Sequence, residues 1–424
     1  MPDLPDLIPL DEAQRRVLEG IGTLPVEVVD LADAGGLVLA EPVHSALTVP
    51  TWANSAMDGF AVRTDDVTTA RPGAPVVLRV LGEVAAGRPP EDEVAAGTAL
   101  RIMTGAMMPP GADAVVPVED TDAEAGASDI PATVEIRAAV HRGDNVRFPG
   151  TDVAAGAALL DRGRACDPAV IALLAATGHG SIAVHRRPRV AVISTGDELV
   201  PPGRPLGPAQ IHDCNSLALA AQAAEAGAVV RRLGIARDTL PDLLALVREG
   251  AAWADVVVLS GGVSVGAHDH VKAAFSALGT LDLWRVAIKP GRPFAFARAS
   301  VEGRPVHLFG LPGNPVSVFV TFELFVRPVL RRLAGHPRAF DRPERVVHLA
   351  GPMRGSSGRL TVARVVLAPD PDRPDALMAR SSGGQDSYML FSLAVANGLL
   401  FIPPDLDLPA GAEAVAWEMR SRDS

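Results

Sequence analysis

Apolar β-type runs and helical stretches alternate from residue 186 to residue 335, and this alternation limits the fold more than any other feature of the sequence. Strands are expected at 189–195 (RVAVIST), 229–236, 255–260 (DVVVLS), 283–288, 293–298 and 305–310. Helices are expected at 215–226, 239–253 and 269–278, and from Asn314-Pro315 to about Leu333 with a kink at Pro328. In 239–253, Thr239 caps, Asp242 holds the capping-box position, and Leu240, Leu243, Leu244, Val247 and Ala251 form one stripe. Uninterrupted apolar strands separated by helices imply a mostly parallel sheet covered on both faces.

The flanks read differently. Residues 9–22 have a helical repeat in Leu10, Ala13, Val17 and Leu18. A second helix is expected at 167–178, with Asp167 as N-cap, Pro168 at the first position and Gly178 beyond the end. Between them, short β-type runs (60–62, 76–80, 114–118, 133–136) alternate with Pro/Gly turns. This predicts a β-rich block inserted into a helical element. Beyond residue 337 only short strands are expected, at 346–349, 360–367, 399–402 and 414–418. The resulting division is 1–45 with 150–185, an insert at 46–149, an α/β unit at 186–336 and a β unit at 337–424.

Charge narrows the function classes. The formal net charge is −11 and no basic block of five residues occurs, which argues against a nucleic-acid binder. No apolar run is long enough to span a bilayer, and the acidic start MPDLPDLIPLDEAQ is unlike a secretory signal. Cys166 and Cys214 have no metal-ligand spacing, so a reducing cytoplasm is expected. Of the 39 basic residues only two, Lys272 and Lys289, are lysines, and both lie beside glycine-rich segments. A compact ammonium cannot be replaced by a guanidinium where a point charge is required.

In an open α/β sheet, ligands bind at the carboxyl ends of the strands. Those ends carry Thr195-Gly196-Asp197-Glu198, Arg237-Asp238, the loop SGGVSVG (260–266) followed by Asp269, Lys289-Pro290-Gly291-Arg292, and LPGNP (311–315). SGGVSVG between strand and helix is either a phosphate cradle or a simple glycine turn. LPGNP alone reads as a double turn, and Asp213 and Asn215 alone as a helix N-cap. Together the ends put Glu198, Asp238 and Asp269 on a rim that also carries an anion cradle and Lys289. Bare carboxylates repel phosphate, so an intervening Mg²⁺ and a nucleotide-containing anionic ligand are expected.

Eight stretches then carry a resemblance across nearly the whole chain: NSAMDGFAV (54–62), RIMTGAMMPPGADAVV (101–116), STGDEL (194–199), QIHDCNS (210–216), LGIARD (233–238), SGGVSVG (260–266), AIKPGRPFAF (287–296) and LPGNPVS (311–317). The sequence resembles the molybdopterin molybdenumtransferases, the MoeA and gephyrin E-domain family. The resemblance implies a multidomain α/β plus β chain. Its parts are a MoaB/MogA-like αβα molybdopterin-binding domain, a β-rich insert and a small C-terminal β-barrel-like domain, usually in an elongated homodimer. The implied reaction moves molybdenum from molybdate into adenylated molybdopterin with release of AMP, in a Mg²⁺-dependent step. Contact with the adenylyltransferase acting one step earlier is implied as well.

By the same resemblance Glu198, Asp238 and Asp269 are the family's acidic positions, holding Mg²⁺, and Lys289 is its active-site lysine. Gly261, Gly262, Ser264 and Gly266 resemble the loop that receives the pterin phosphates, with Pro312 and Pro315 on the opposite wall. Asp58 and Thr104 match positions that complete the cleft from the neighbouring subunit, while Arg147, Arg359 and Ser387 match further binding positions. Phe148-Pro149 stand where many relatives have arginines, and Asp386 where glycine is usual. The competing readings are a scaffold that kept the fold and a pterin nucleotidyltransferase; no GxxxxGK[ST] run supports the latter.

Overall fold

The computed structural model describes residues 7–263, 270–371 and 373–419. The two flanks of the β-rich block meet in one antiparallel sheet, with Ser181–His185 between Val26–Asp30 and Val38–Leu39. A sheet therefore joins them, not the helical element expected. Helix Pro168–Ala176 starts as its sequence requires: the Asp167 carboxylate accepts a hydrogen bond from the Val170 amide at 2.9 Å. The inserted block is a five-stranded sheet in the order Ala114–Pro117, Gly59–Val62, Thr98–Ile102, Val76–Val84, Thr133–Ile136. Thr98–Ile102 was not among the expected strands.

The α/β unit holds strands β1 (Arg189–Thr195), β2 (Val229–Ala236), β3 (Val256–Ser260) and β4 (Gly279–Arg285). After the two-residue strand β5 (Ile288–Lys289) come β6 (Pro293–Val301) and β7 (Arg304–Leu311). Helices α1 (Asn215–Glu225), α2 (Leu240–Trp253), α3 (His270–Ser276) and α4 (Pro315–Thr321) accompany them. The sheet order is β2-β1-β3-β7-β6-β4, with β6 antiparallel to both neighbours and the others parallel. Alternate residues of each strand serve opposite cores. Val190, Val192, Val256 and Val258 pack with Leu219 and Ala223 of α1, whereas Ala191, Ile193, Val257 and Leu259 pack with Leu243 and Val247 of α2. Both faces are thus buried, which is why these strands read as unbroken apolar runs.

The expected kink near Pro328 is a π turn at Phe322–Val326, between α4 and a last helical stretch at Arg327–Leu333. Proline has no amide hydrogen, and its ring pushes away the carbonyl four residues earlier, that of Leu324. The Gln14 side chain donates to that freed carbonyl at 3.1 Å. Gln14 belongs to helix Leu10–Leu18, whose Ala13 and Val17 pack into the same core as β1 and β3.

The C-terminal strands β8 (Glu344–Leu349), β9 (Leu360–Asp370), β10 (Arg373–Ser381), β11 (Gly398–Ile402) and β12 (Glu413–Glu418) close into a five-stranded barrel, because β11 pairs with both β12 and β9. Sequence reading missed β10, where Pro374 and Asp375 depress strand propensity.

One strand end needs correction. The fourth strand does not run from 283 to 288 into Lys289; it stops at Arg285. The Val286 amide turns to the Arg292 carbonyl and the Ala287 amide to Ile8. Ile288 and Lys289 then pair in parallel with Leu360 and Thr361 of the barrel. The lysine loop still lies on the rim of the sheet, since β4 ends there and β6 starts there.

His307 on β7 is 7% exposed, stacks against Phe296, and has no hydrogen-bond partner at Nδ1. Burial, then the charge of Arg298, lowers its pKa to about 4. In the unfolded chain histidine protonates near pH 6.5. The neutral ring therefore contributes its full stability above pH 6.5, and the contribution is lost as pH falls towards 4. Urea unfolding at a series of pH values is expected to show His307→Phe losing less stability than the parent chain across that window. Equal losses would contradict the assignment.

Candidate functional site

The strand order reverses between β1 and β3: the chain moves from β1 out to β2, then crosses back to β3 on the other side. Such a reversal opens a crevice at the carboxyl ends of the two strands. A cavity of about 270 Å³ lies there, lined by Thr195, Asp238, Leu243, Gly262, His270 and Val271.

Backbone packing makes this crevice. Gly261 has φ +97°, and a Cβ there would lie 2.5 Å from the Thr195 carbonyl oxygen. Gly262 has φ +67°, and its Cβ would lie 2.9 Å from Val271 Cγ2 and 3.0 Å from Thr195 Cγ2. Only glycine satisfies both the left-handed backbone and the close approach. The Thr195 hydroxyl in turn donates to Asp238 Oδ1 at 2.8 Å, and the Asp238 amide donates to Asp197 Oδ1 at 3.2 Å. Glu198 folds back over Gly196, where a Cβ would come within 2.6 Å of its Oε2. Two carboxylates, Asp238 and Glu198, therefore flank Thr195-Gly196. The second oxygen of Asp238 and both oxygens of Glu198 make no hydrogen bond among the described residues.

Asn215 and Asp213 do more than cap a helix. Asn215, 8% exposed, donates to Ser260 Oγ at 2.8 Å and to the Gly313 carbonyl at 2.7 Å, tying α1 to the end of β3 and to the LPGNP turn. Asp213 accepts from Ser194 Oγ (2.9 Å) and from the Ser216 hydroxyl (2.6 Å) and amide (3.1 Å). The Gly313 backbone rests against Gly261, so Pro312 and Pro315 bound a turn that faces the glycine loop.

The barrel touches the LPGNP turn. Asn314 Nδ2 donates to Ser387 Oγ at 2.8 Å, and the Ser387 carbonyl accepts from the Val316 amide in the first turn of α4. Arg359 immediately precedes Leu360, the barrel residue that pairs with Ile288, and the exposed Lys289 pairs with Thr361. Sequence reading missed Arg364. This side chain is fully buried and donates to Ser392 Oγ (3.0 Å) and to the carbonyls of Gly384 (2.7 Å) and Asp386 (3.2 Å), fixing the loop that bears Ser387. Set in the apolar run TVARVV, it gave no signal that it points inward.

Not every expected residue joins this cluster. Ser264, Gly266 and Asp269 lie outside the described residues. Asp58 and Thr104 pair with each other: the Thr104 amide and hydroxyl each donate to Asp58 Oδ1 at 2.7 Å, and these bonds hold the carboxyl below its usual range. They line a separate cavity of about 540 Å³ in the inserted sheet. Among the described residues no hydrogen bond or ion pair joins them to the crevice. Arg147 is exposed on a short strand paired with Asn54 and Ser55 of the same insert. Among the described residues no group of three or more His, Cys, Asp or Glu forms a metal cage.

The αβα unit thus carries a ligand crevice at its switch point, and a five-stranded barrel joins it at the LPGNP turn. Residues 191–332 match the family model described as a probable molybdopterin binding domain. Residues 8–178 match the MoeA N-terminal region (domain I and II), and 346–418 the MoeA C-terminal region (domain IV). The chain is 40% identical over 417 residues to molybdopterin molybdenumtransferase 2 of Mycobacterium tuberculosis, covering 97% of this chain and 99% of that one. It is 42% identical over 316 residues to the molybdopterin molybdenumtransferase of Nostoc, 74% of this chain and 71% of that one. A crystal structure of the molybdopterin biosynthesis MoeA protein from Pyrococcus horikoshii superimposes with TM-score 0.79 at 32% identity, covering 98% of this chain and 100% of that one. The chain belongs to the MoeA family of molybdopterin molybdenumtransferases, enzymes of molybdenum cofactor biosynthesis.

Gly261→Ala forces the loop away from Thr195, and a displacement near 1 Å at a reacting centre costs on the order of 100-fold in rate. Asn215→Ala strands the Gly313 carbonyl and loosens the same wall. Both variants are expected to keep a cooperative urea transition while losing at least about tenfold in molybdenum transfer. Wild-type rates in a folded Gly261→Ala protein would contradict this picture.

Proposed function

We propose that this chain inserts molybdenum from molybdate into adenylated molybdopterin and releases AMP. The observation that carries the reading is the crevice itself: a glycine loop and two uncommitted carboxylates meet at one sheet switch point, with Lys289 further along the same rim. Gly261 and Gly262 set the course of the glycine loop past Thr195, and phosphate binding is assigned to that loop. Lys289 and Arg359 offer positive charge for an oxyanion from the barrel side, and Asn314 with Ser387 offers neutral donors.

Mg²⁺ fits this donor set. It is a hard cation that binds through one or two carboxylates plus phosphate oxygens, and Glu198 and Asp238 present free hard oxygens on either side of Thr195-Gly196. When bound, it supplies the charge neutralisation that lets phosphate sit among carboxylates. Asp269 is proposed as a third acidic ligand. The protein's own groups do the positioning: Thr195 holds Asp238, Asn215 holds the two facing turns together, and Arg364 holds the loop of Ser387.

We assign Asp58 and Thr104 to the same site in a homodimer, reached from the insert of a second copy. Their distinct cavity and pre-organised hydrogen bonds support that reading, as do Val26 and Val28, apolar yet 56% and 72% exposed on the neighbouring sheet.

The test is incubation with adenylated molybdopterin, Mg²⁺ and molybdate, following AMP by chromatography and protein-bound molybdenum by mass spectrometry. Molybdate-dependent AMP release is expected, reduced at least about 100-fold in Lys289→Ala and in Asp238→Asn. Release that is equally fast without molybdate, or unchanged in both variants, would refute the assignment.

A further inference from the structure

A cavity larger than the crevice lies elsewhere in the molecule. About 900 Å³ opens between the turn at 161–165, the segment 336–344 that follows helix Arg327–Leu333, and Trp417 of β12. These walls touch directly: a Cβ on Gly163 would lie 3.2 Å from Pro337 Cδ. Five arginines line the cavity against three carboxylates.

Ion pairing ties up three of the five lining arginines: Arg164 pairs with Asp167 at 2.8 Å, Arg331 with Asp341 at 2.8 Å and Arg342 with Glu323 at 3.1 Å. Arg327, Arg331 and Arg342 share two poorly exposed carboxylates, Glu323 and Asp341, at 2.8–3.8 Å, and Arg342 reaches a third, the exposed Glu225. Two buried nitrogens of Arg327 find no hydrogen-bond acceptor. Burial lowers the pKa of Arg331 and, with the charge of Arg331, that of His336 to about 4. At the mouth, Arg162 and Arg338 are exposed, and among the described residues neither side chain has a hydrogen bond or ion pair.

We propose that this cavity binds a nucleoside phosphate at a site separate from the crevice. Its volume is that of a pocket for one small molecule. Guanidinium forks match phosphate oxygens two at a time, and Arg162 and Arg338 are free to do so. The rings of Trp417 and of Phe340, the latter 39% exposed, give a base an aromatic surface. None of the lining residues belongs to the switch-point crevice. A bound ligand would join the N-terminal sheet region, the end of the α/β unit and the barrel, so occupancy raises the unfolding temperature.

Calorimetric titration with ADP tests this, using the whole chain, the Arg162→Ala/Arg338→Ala variant and Asp238→Asn. Both arginines lack native partners, so the double variant is expected to unfold at the parent temperature. The expected result is a saturable ADP site that survives Asp238→Asn and weakens about tenfold or more in the double variant. Two results would overturn it: no saturable binding, or binding lost in Asp238→Asn and kept in the arginine variant, which would put the ligand in the crevice. Pyrophosphate is the second probe; binding as tight as that of ADP would remove the nucleoside from the assignment.

Discussion

The site depends on how closely two loop backbones approach each other. Thr195 at the end of β1 and Gly261-Gly262 at the end of β3 are packed so tightly that a single methyl group at either glycine would collide with Thr195. This contact fixes the position of the Thr195 hydroxyl, and that hydroxyl fixes Asp238. It also brings Gly313 beside Gly261, where Asn215 can span both turns. One close approach thus sets the relation among four strand ends, each of which would otherwise be an ordinary turn.

The barrel is the second half of the same device. Strand β9 pairs through its first residues with Ile288 and Lys289, and three residues later carries Arg364, which holds the loop of Ser387. A buried guanidinium is an expensive choice for a barrel interior unless its hydrogen bonds are met, and Arg364 meets most of them on loop carbonyls and Ser392. Lys289, Arg359 and Ser387 come from distant parts of the chain, yet all are set by one strand. One barrel strand therefore links the Ile288–Lys289 pairing to the loop that touches the LPGNP turn.

What the sequence made legible is what local physics determines. The unbroken apolar runs of β1 and β3, the Asp167 and Thr239 caps, and the glycine loops at strand ends all follow from neighbours a few residues apart. The Pro328 distortion was legible as well, though its form, a π turn relieved by Gln14, needed a partner 310 residues away. The remainder was hidden for the same reason. Asn215 acts on Ser260 and Gly313, 45 and 98 residues along the chain, so its sequence context shows only a helix start. Lys289 reads as the end of a strand because nothing local reveals that its backbone changes sheets. The resemblance to the MoeA family was legible because eight short motifs stand in order along the chain, even where each motif's physical role was opaque.

The central claim is that carboxylates and a multiply charged anion share the switch-point crevice through a divalent cation. Electron paramagnetic resonance of Mn²⁺, which takes the same oxygen-rich octahedral coordination as Mg²⁺, addresses it directly. Titration in the presence of AMP is predicted to show one bound Mn²⁺, released when Glu198 and Asp238 are both changed to amides. Mn²⁺ that binds equally well with or without AMP and with or without those two carboxylates would contradict the account.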